Sequence, residues 1–210
     1  MNPISAPEDV GALWLHTLQR AIGRASHDVK DALNGVSVNL EVIRSRSAKP
    51  DVPASAIAQF GDAAAQQMER LTNLIEAVLA LSRLERTPTD VGLTLRRITT
   101  LCSASSSSAD AAVRMFDDGA AGSTFTRVPG DVVRLVLLAP LLDVVAGSDR
   151  ANRASEVACT LSGDDDAVHV KIAAADRRVP ASENIADVAR AAGVRWTEGK
   201  QDLSLAFPRA

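Results

Sequence analysis

The sequence predicts a long antiparallel helical hairpin, paired into a dimeric four-helix bundle and followed by a small α+β sandwich. Three observations carry this. Apolar residues recur at seven-residue spacing through the first 86 positions, with one proline-bearing interruption. That interruption, Ser47-Ala48-Lys49-Pro50-Asp51-Val52-Pro53, is short enough to fold two helices back on each other. From Thr89 the period changes to short alternating segments separated by glycine and aspartate.

The first helix is expected to start near Pro7–Glu8. One apolar row runs Leu15, Ile22, Val29, Val36, Ile43, and a second runs Leu18, Ala25, Ala32, with Asn39 as its polar exception. Leu33 and Leu40 widen the stripe. No proline falls in 8–46, which allows one helix about 50 Å long. The second helix has rows Ile57, Ala64, Leu71, Val78 and Phe60, Leu74, Leu81, broadened by Met68 and Ile75, and it runs to about Arg86. A hairpin with such wide stripes leaves apolar surface exposed, and a second copy covers it most economically. A homodimer is therefore expected.

In the second half, 91–104 reads as a helix ending in the run Ser105–Ser108. Ala112–Asp117 and Ser123–Arg127 are short strand candidates. Asp131 is placed as the N-cap of an apolar helix, Val132–Ala146, which Pro140 should kink. Glu156–Leu161 and Val168–Ala173 form a hairpin around Gly163-Asp164-Asp165-Asp166. A helix over 182–192, stopped by Gly193, precedes a closing hairpin of Val194–Thr197 and Leu203–Phe207. The expected domains are thus 8–87 and 88–210.

Composition narrows the function. With 210 residues, 46% hydrophobic, the chain has enough apolar material for a core. Two Trp, four Phe and no Tyr argue against base-stacking platforms. A net charge of −3 offers no basic field for nucleic acid or anionic membrane. Cys102 and Cys159 are too few for a disulfide framework or zinc site and read as buried thiols. The longest apolar run, Leu135–Leu142, is far short of a membrane span, and no basic region followed by an apolar stretch opens the chain. A soluble, cytoplasmic protein is expected, without nucleic acid or membrane as partner.

Of the three histidines, His16 and His169 lack neighbours at ligand spacing. His27 differs. It lies two positions before Val29, so it points about 160° away from the seam. Asp28 is adjacent, and Lys30 at i+3 and Asp31 at i+4 share its face. An exposed imidazole is mostly neutral at pH 7 and hence nucleophilic, and a carboxylate accepting from one ring nitrogen raises the basicity of the other. Residue types alone also fit an ordinary polar position on a solvated helix face.

The surrounding text, Ser26-His27-Asp28-Val29-Lys30-Asp31-Ala32-Leu33-Asn34-Gly35, resembles the H-box of sensor histidine kinases. Glu69–Glu85 is similar to the second dimerisation helix of that family, and 89–210 follows more weakly the order of elements in its ATP-binding domain. The resemblance implies that His27 is the phosphoacceptor. It also exposes departures. Asp31 and Ala32 stand where the family often has Thr or Asn and then Pro, which puts regulator dephosphorylation in doubt. The two N-box asparagines fall at Ala139 and Asp143. Ala174–Pro180 replaces the Asp-x-Gly-x-Gly loop without a glycine, and no second glycine-rich loop or lid follows. Such loops bring backbone N–H groups onto phosphate.

The resemblance therefore implies a degenerate ATPase-like α/β domain, no cofactor of its own, and a histidine phosphotransferase of a phosphorelay rather than an ATP-dependent kinase. Phosphoryl groups would pass between receiver-domain aspartates of response regulators through His27, with Mg²⁺ on the partner receiver and a hybrid histidine kinase upstream. Asp28 would orient the ring and Lys30 would place positive charge near the phosphate. Arg20, Arg24, Asp31 and Asn34 would face the partner. The alternative is a non-catalytic pseudokinase adaptor that binds or sequesters a regulator or kinase.

Overall fold

The computed structural model describes residues 6–49, 51–83, 88–104, 113–119, 122–151, 156–180 and 182–210. Helix α1 (Ala6–Ser47) and helix α2 (Ser55–Ser82) are the two arms of the expected hairpin. Arg46 clasps its turn, donating to the Ala56 carbonyl at 3.0 Å and lying 4.7 Å over the Phe60 ring. The turn proline Pro50 and the predicted last residues of α2, 84–86, lie outside the described residues. Arg83 is already extended, with ψ 141°.

The face that α1 buries is rotated from the predicted seam. Thr17, Ala21, Ala25, Asp28 and Ala32 are buried, a stripe stepping by four and three residues. Ala21 and Ala25 share a core cluster with Leu74, Ala77 and Leu81 of α2, where small side chains let the helices approach closely. The larger residues of the expected stripe are left outside. Leu15, Ile22, Leu33 and Leu40 are 41–55% exposed, and Met68, Ile75 and Leu79 of α2 are comparably open.

The α/β half forms a five-stranded sheet in the order β2-β4-β5-β7-β6, from β2 (Val113–Asp117), β4 (Val157–Gly163), β5 (Ala167–Ala174), β6 (Arg195–Glu198) and β7 (Asp202–Pro208). Only β2 and β4 run parallel. Alternation puts Val157, Cys159 and Leu161, Val170 and Ile172, and Leu203, Leu205 and Phe207 into the core. Two features depart from expectation in this half. The segment around Ser123–Arg127 yields only β3 (Phe125–Thr126), which pairs with an unforeseen β1 (Thr89–Asp90) rather than joining the main sheet. Asp90 then starts α3 (Val91–Ala104), its carboxylate accepting from the Leu93 N–H at 2.9 Å and from the Thr124 hydroxyl at 2.6 Å.

Helix α4 (Gly130–Ala151) begins before Asp131. The Pro129 carbonyl accepts the Val133 N–H at 3.0 Å, and Asp131 is a first-turn residue that bonds its neighbour's N–H. Pro140 lies inside this one continuous helix and does not divide it. Packing explains this: Leu135 to Leu138, Leu141, Val144 and Val145 are fully buried, so the burial lost by breaking the helix outweighs the backbone bond that proline forfeits. Helix α4 packs against α1, α3 and α5 (Glu183–Ala191). Gly193, at φ +80°, turns the chain out of α5 as expected.

Arg134 joins the halves. It is buried, and its Nη1 donates to the carbonyl of Leu81 at 3.0 Å and to that of Arg83, at the end of α2. Its Nε donates to Gly130, and the guanidinium lies 5.1 Å over the ring of Trp14 in α1.

Candidate functional site

His27 occupies the middle of α1, about 100–160° around the helix from the buried Ala21, Ala25, Asp28 and Ala32 and on the side away from the exposed leucines. Its side chain is 74% exposed. The ring Nδ1 lies 3.1 Å from Asp31 Oδ2, at i+4, and 4.0 Å from Asp28 Oδ1. A carboxylate can only accept, so at this separation Nδ1 is the ring atom placed to donate to Asp31. The carboxylate at hydrogen-bonding distance is thus that of Asp31. Asp28, only 4% exposed, turns into the protein beside it.

The other residues singled out in the sequence separate into two groups. Lys30 and Asn34 are exposed, Asn34 two turns on from His27 and Lys30 offset by 60°. Arg20 and Arg24 turn toward the α/β half. Arg20 forms an ion pair with Asp143 of α4, and Arg24 is close enough to Cys102, at the end of α3, to lower that thiol's pKa. Burial is the larger influence and pushes Cys102 up to about 12, as it does Cys159. Both thiols are free and buried, as expected. His16 is exposed, and His169 bonds Asp164 at 2.8 Å on the outer face of the sheet.

Two residues that matter here had little sequence signal. Trp14 and Arg134 meet only through the packing of α1 on α4, and an arginine at the edge of an apolar run gives no hint of an aromatic partner 120 positions away. The Asp31 contact, by contrast, is written in its i+4 spacing.

Clefts of about 470 Å³ and about 520 Å³ open between α2 and α3, lined by residues such as Glu69, Arg70, Asn73, Arg97 and Thr100. Neither includes His27. No described helix is long and apolar enough to cross a membrane.

No curated protein matches the sequence. Among solved structures, the chain is similar to the histidine kinase AdeS of Acinetobacter baumannii, with 12% identity, 87% of this chain and 97% of that chain covered, and a TM-score of 0.39. It is similar to the histidine kinase ThkA, solved in complex with the response regulator protein TrrA, with 11% identity, 93% and 63% covered, and a TM-score of 0.45. The histidine kinase domain of the Erythrobacter litoralis EL346 blue-light activated kinase gives 14% identity, 90% and 94% covered, and a TM-score of 0.40. Residues 17–87, the hairpin that carries His27, match the family model of the His Kinase A (phospho-acceptor) domain.

Proposed function

We propose that the chain is a histidine phosphotransferase of a two-component phosphorelay, moving a phosphoryl group between receiver-domain aspartates through His27 without using ATP. The observation that carries this is the placing of His27: 74% exposed, in a hairpin that matches the phospho-acceptor family model, with Nδ1 3.1 Å from Asp31 Oδ2. In the reaction Nε2 attacks the phosphorus of an aspartyl phosphate. The P–N bond forms, the P–O bond to the aspartate breaks, and the carboxylate leaves. The ring, now cationic, retains its Nδ1 proton against Asp31. Reversal onto a second receiver completes the relay. Mg²⁺ belongs to the receiver, whose acidic pocket the convex surface around His27 accommodates. Lys30 and Asn34 lie on that surface, with Arg24 at its border toward α3, and a hybrid histidine kinase is the expected upstream source of phosphoryl groups.

The residues at the N-box positions do not fit a nucleotide. Ala139 has no polar side-chain group, and Asp143 is tied to Arg20. The segment 174–180 supplies no glycine where the resemblance implies a phosphate loop. Helix α4, on which both N-box positions sit, is covered by α1. These features support a domain that serves as scaffold and docking surface. The exposed row Leu15, Ile22, Leu33, Leu40, with Met68, Ile75 and Leu79, supports a homodimer in which a second hairpin completes a four-helix bundle.

The test is phosphotransfer. Receivers charged with labelled phosphate are mixed with wild-type or His27→Ala protein in the absence of ATP. Label on the wild type alone establishes the transferase and identifies a partner. If competent charged receivers bind both proteins equally and neither takes label, the chain is an adaptor instead.

A further inference from the structure

We infer that His27, Asp28 and Asp31 together form a binding site for a divalent transition-metal cation of the Zn²⁺ class, and that the cation silences the nucleophile. The silencing part rests on the phosphotransferase reading; the site itself does not. Each residue offers one donor atom, and the three atoms lie within 4.8 Å of one another. This is the one such group of three or more among the described residues. Zinc bonds to imidazole nitrogen and carboxylate oxygen are about 2.0–2.2 Å, so neighbouring donors on a tetrahedral ion stand about 3.3 Å apart. Nδ1 to Asp31 Oδ2, at 3.1 Å, already has that spacing. Nδ1 to Asp28 Oδ1, at 4.0 Å, is too long for a hydrogen bond and must shorten by about 0.7 Å for both to reach one ion.

The environments of the three residues also differ in a useful way. Asp28 is buried and brings a carboxylate that little water reaches, whereas His27 and Asp31 are open enough for an ion to enter. One imidazole with two carboxylates suits zinc and its neighbours in the first transition row. Mg²⁺ prefers all-oxygen octahedral surroundings and keeps its waters, so the Mg²⁺ of a receiver does not compete here.

The consequence follows from proton bookkeeping on the ring. In the neutral ring with its hydrogen on Nδ1, the nitrogen 3.1 Å from Asp31, the lone pair sits on Nε2. A cation on Nδ1 uses the lone pair of that nitrogen, so the single proton of the neutral ring moves through solvent to Nε2. No proton is gained or lost by the ring. Nε2 then carries a hydrogen where it carried the attacking lone pair, and it cannot bond to phosphorus.

The test uses the full chain, stripped of metal, with Zn²⁺ alone as probe. Calorimetry should give one Zn²⁺ per chain, with affinity lost in His27→Ala and weakened at least about tenfold in Asp31→Asn. Long-range ¹⁵N–¹H spectra of the His27 ring should change from the Nδ1–H to the Nε2–H form on saturation, and millimolar Mg²⁺ should leave them unchanged. Zinc binding indifferent to both substitutions would mean an adventitious site elsewhere and overturn the proposal, as would a ring that stays Nδ1–H or no binding at all. In a second arm, protein preloaded with one equivalent and freed of excess should accept label from a charged receiver at least about tenfold more slowly, with recovery on chelation. An undiminished rate overturns the silencing. Zinc binding with the proton shift, but no label under any condition, leaves the metal site standing and removes the phosphotransferase reading.

Discussion

The hairpin and the α/β layer solve the problem of burial differently. In the layer, α4 and the strands beneath it are closed: Val133, Leu135, Leu137, Leu138 and Leu141 have no exposed surface, nor do Leu161, Ile172 and Phe207. In the hairpin, five large apolar side chains of α1 and three of α2 stand in solvent, while Ala21 and Ala25 of α1 share a core cluster with Leu74, Ala77 and Leu81 of α2. The layer also exposes Leu93, Phe116 and Phe125, but its central helix is closed, whereas neither helix of the hairpin is. Chemistry divides along the same line. The closed half has no exposed nucleophile among its described cysteines, and the open half displays His27.

The comparison breaks most severely if the apolar face of the hairpin is charged. Ile22→Arg with Leu40→Arg should convert a dimer into a folded monomer at micromolar concentration, read by sedimentation equilibrium with circular dichroism as the check on folding. Each buried aliphatic side chain is worth about 1.5–3 kcal/mol, and two-fold symmetry counts each substitution twice. A wild-type chain that stays monomeric at high concentration would remove the homodimer and leave the open face to a different partner.

A smaller effect is expected where the halves meet. Arg134→Met keeps volume and apolar packing but leaves the carbonyls of Leu81 and Arg83 without that donor and removes the contact with Trp14. Hydrogen bonds from charged groups of this kind support a loss of about 2–4 kcal/mol, seen as a lower Tm in thermal unfolding. An unchanged Tm would show that the halves do not stabilise each other through this residue. Arg20→Ala sharpens the point. Its pair with Asp143 is about a third exposed on both sides, so solvent screening holds the cost below about 1 kcal/mol. A larger loss would identify this pair, rather than Arg134, as the main tie between α1 and α4.

The smallest expected effect lies far from both. The hydrogen bond from His169, with backbone N–H groups of Ala167 and Asp166, holds the Asp164 carboxyl down at about 2. Its folded value is below its ordinary 3.8, so this turn gains its support above pH 3.8 and loses it as pH falls through about 2. Carboxyl ¹³C titration should give that low midpoint, and His169→Ala should move it upward. A midpoint unaffected by His169→Ala would assign the shift to the backbone donors alone.

Much of this molecule was legible before any coordinates. Seven-residue spacing located α1 and α2, two-residue alternation located β4, β5 and β7, and glycine at 193 marked the end of α5. The outward direction of His27 followed from its offset against the seam, and Asp31 was within its reach at i+4. These features are local: helical and strand periods fix which residues share a face over a few turns. Pro140 sits inside one continuous, largely buried helix, where a local steric rule alone does not fix where a helix ends. β1 and β3 were too short to carry a period at all.

The sequence by itself determined where the helices and most of the strands lie, which side of α1 bears the histidine, and that its apolar stripe is wider than one neighbour can cover. Only the tertiary structure decided which part of that stripe faces α2, that Arg20 meets Asp143 across 123 positions, that Arg134 reaches the end of α2 and Trp14, and that Asp28 is buried while Asp31 stays exposed. Periodicity specifies a face to within a turn or so of rotation. The final rotation, and with it every long-range charge pairing, is set by how side chains of particular size interlock when the elements pack.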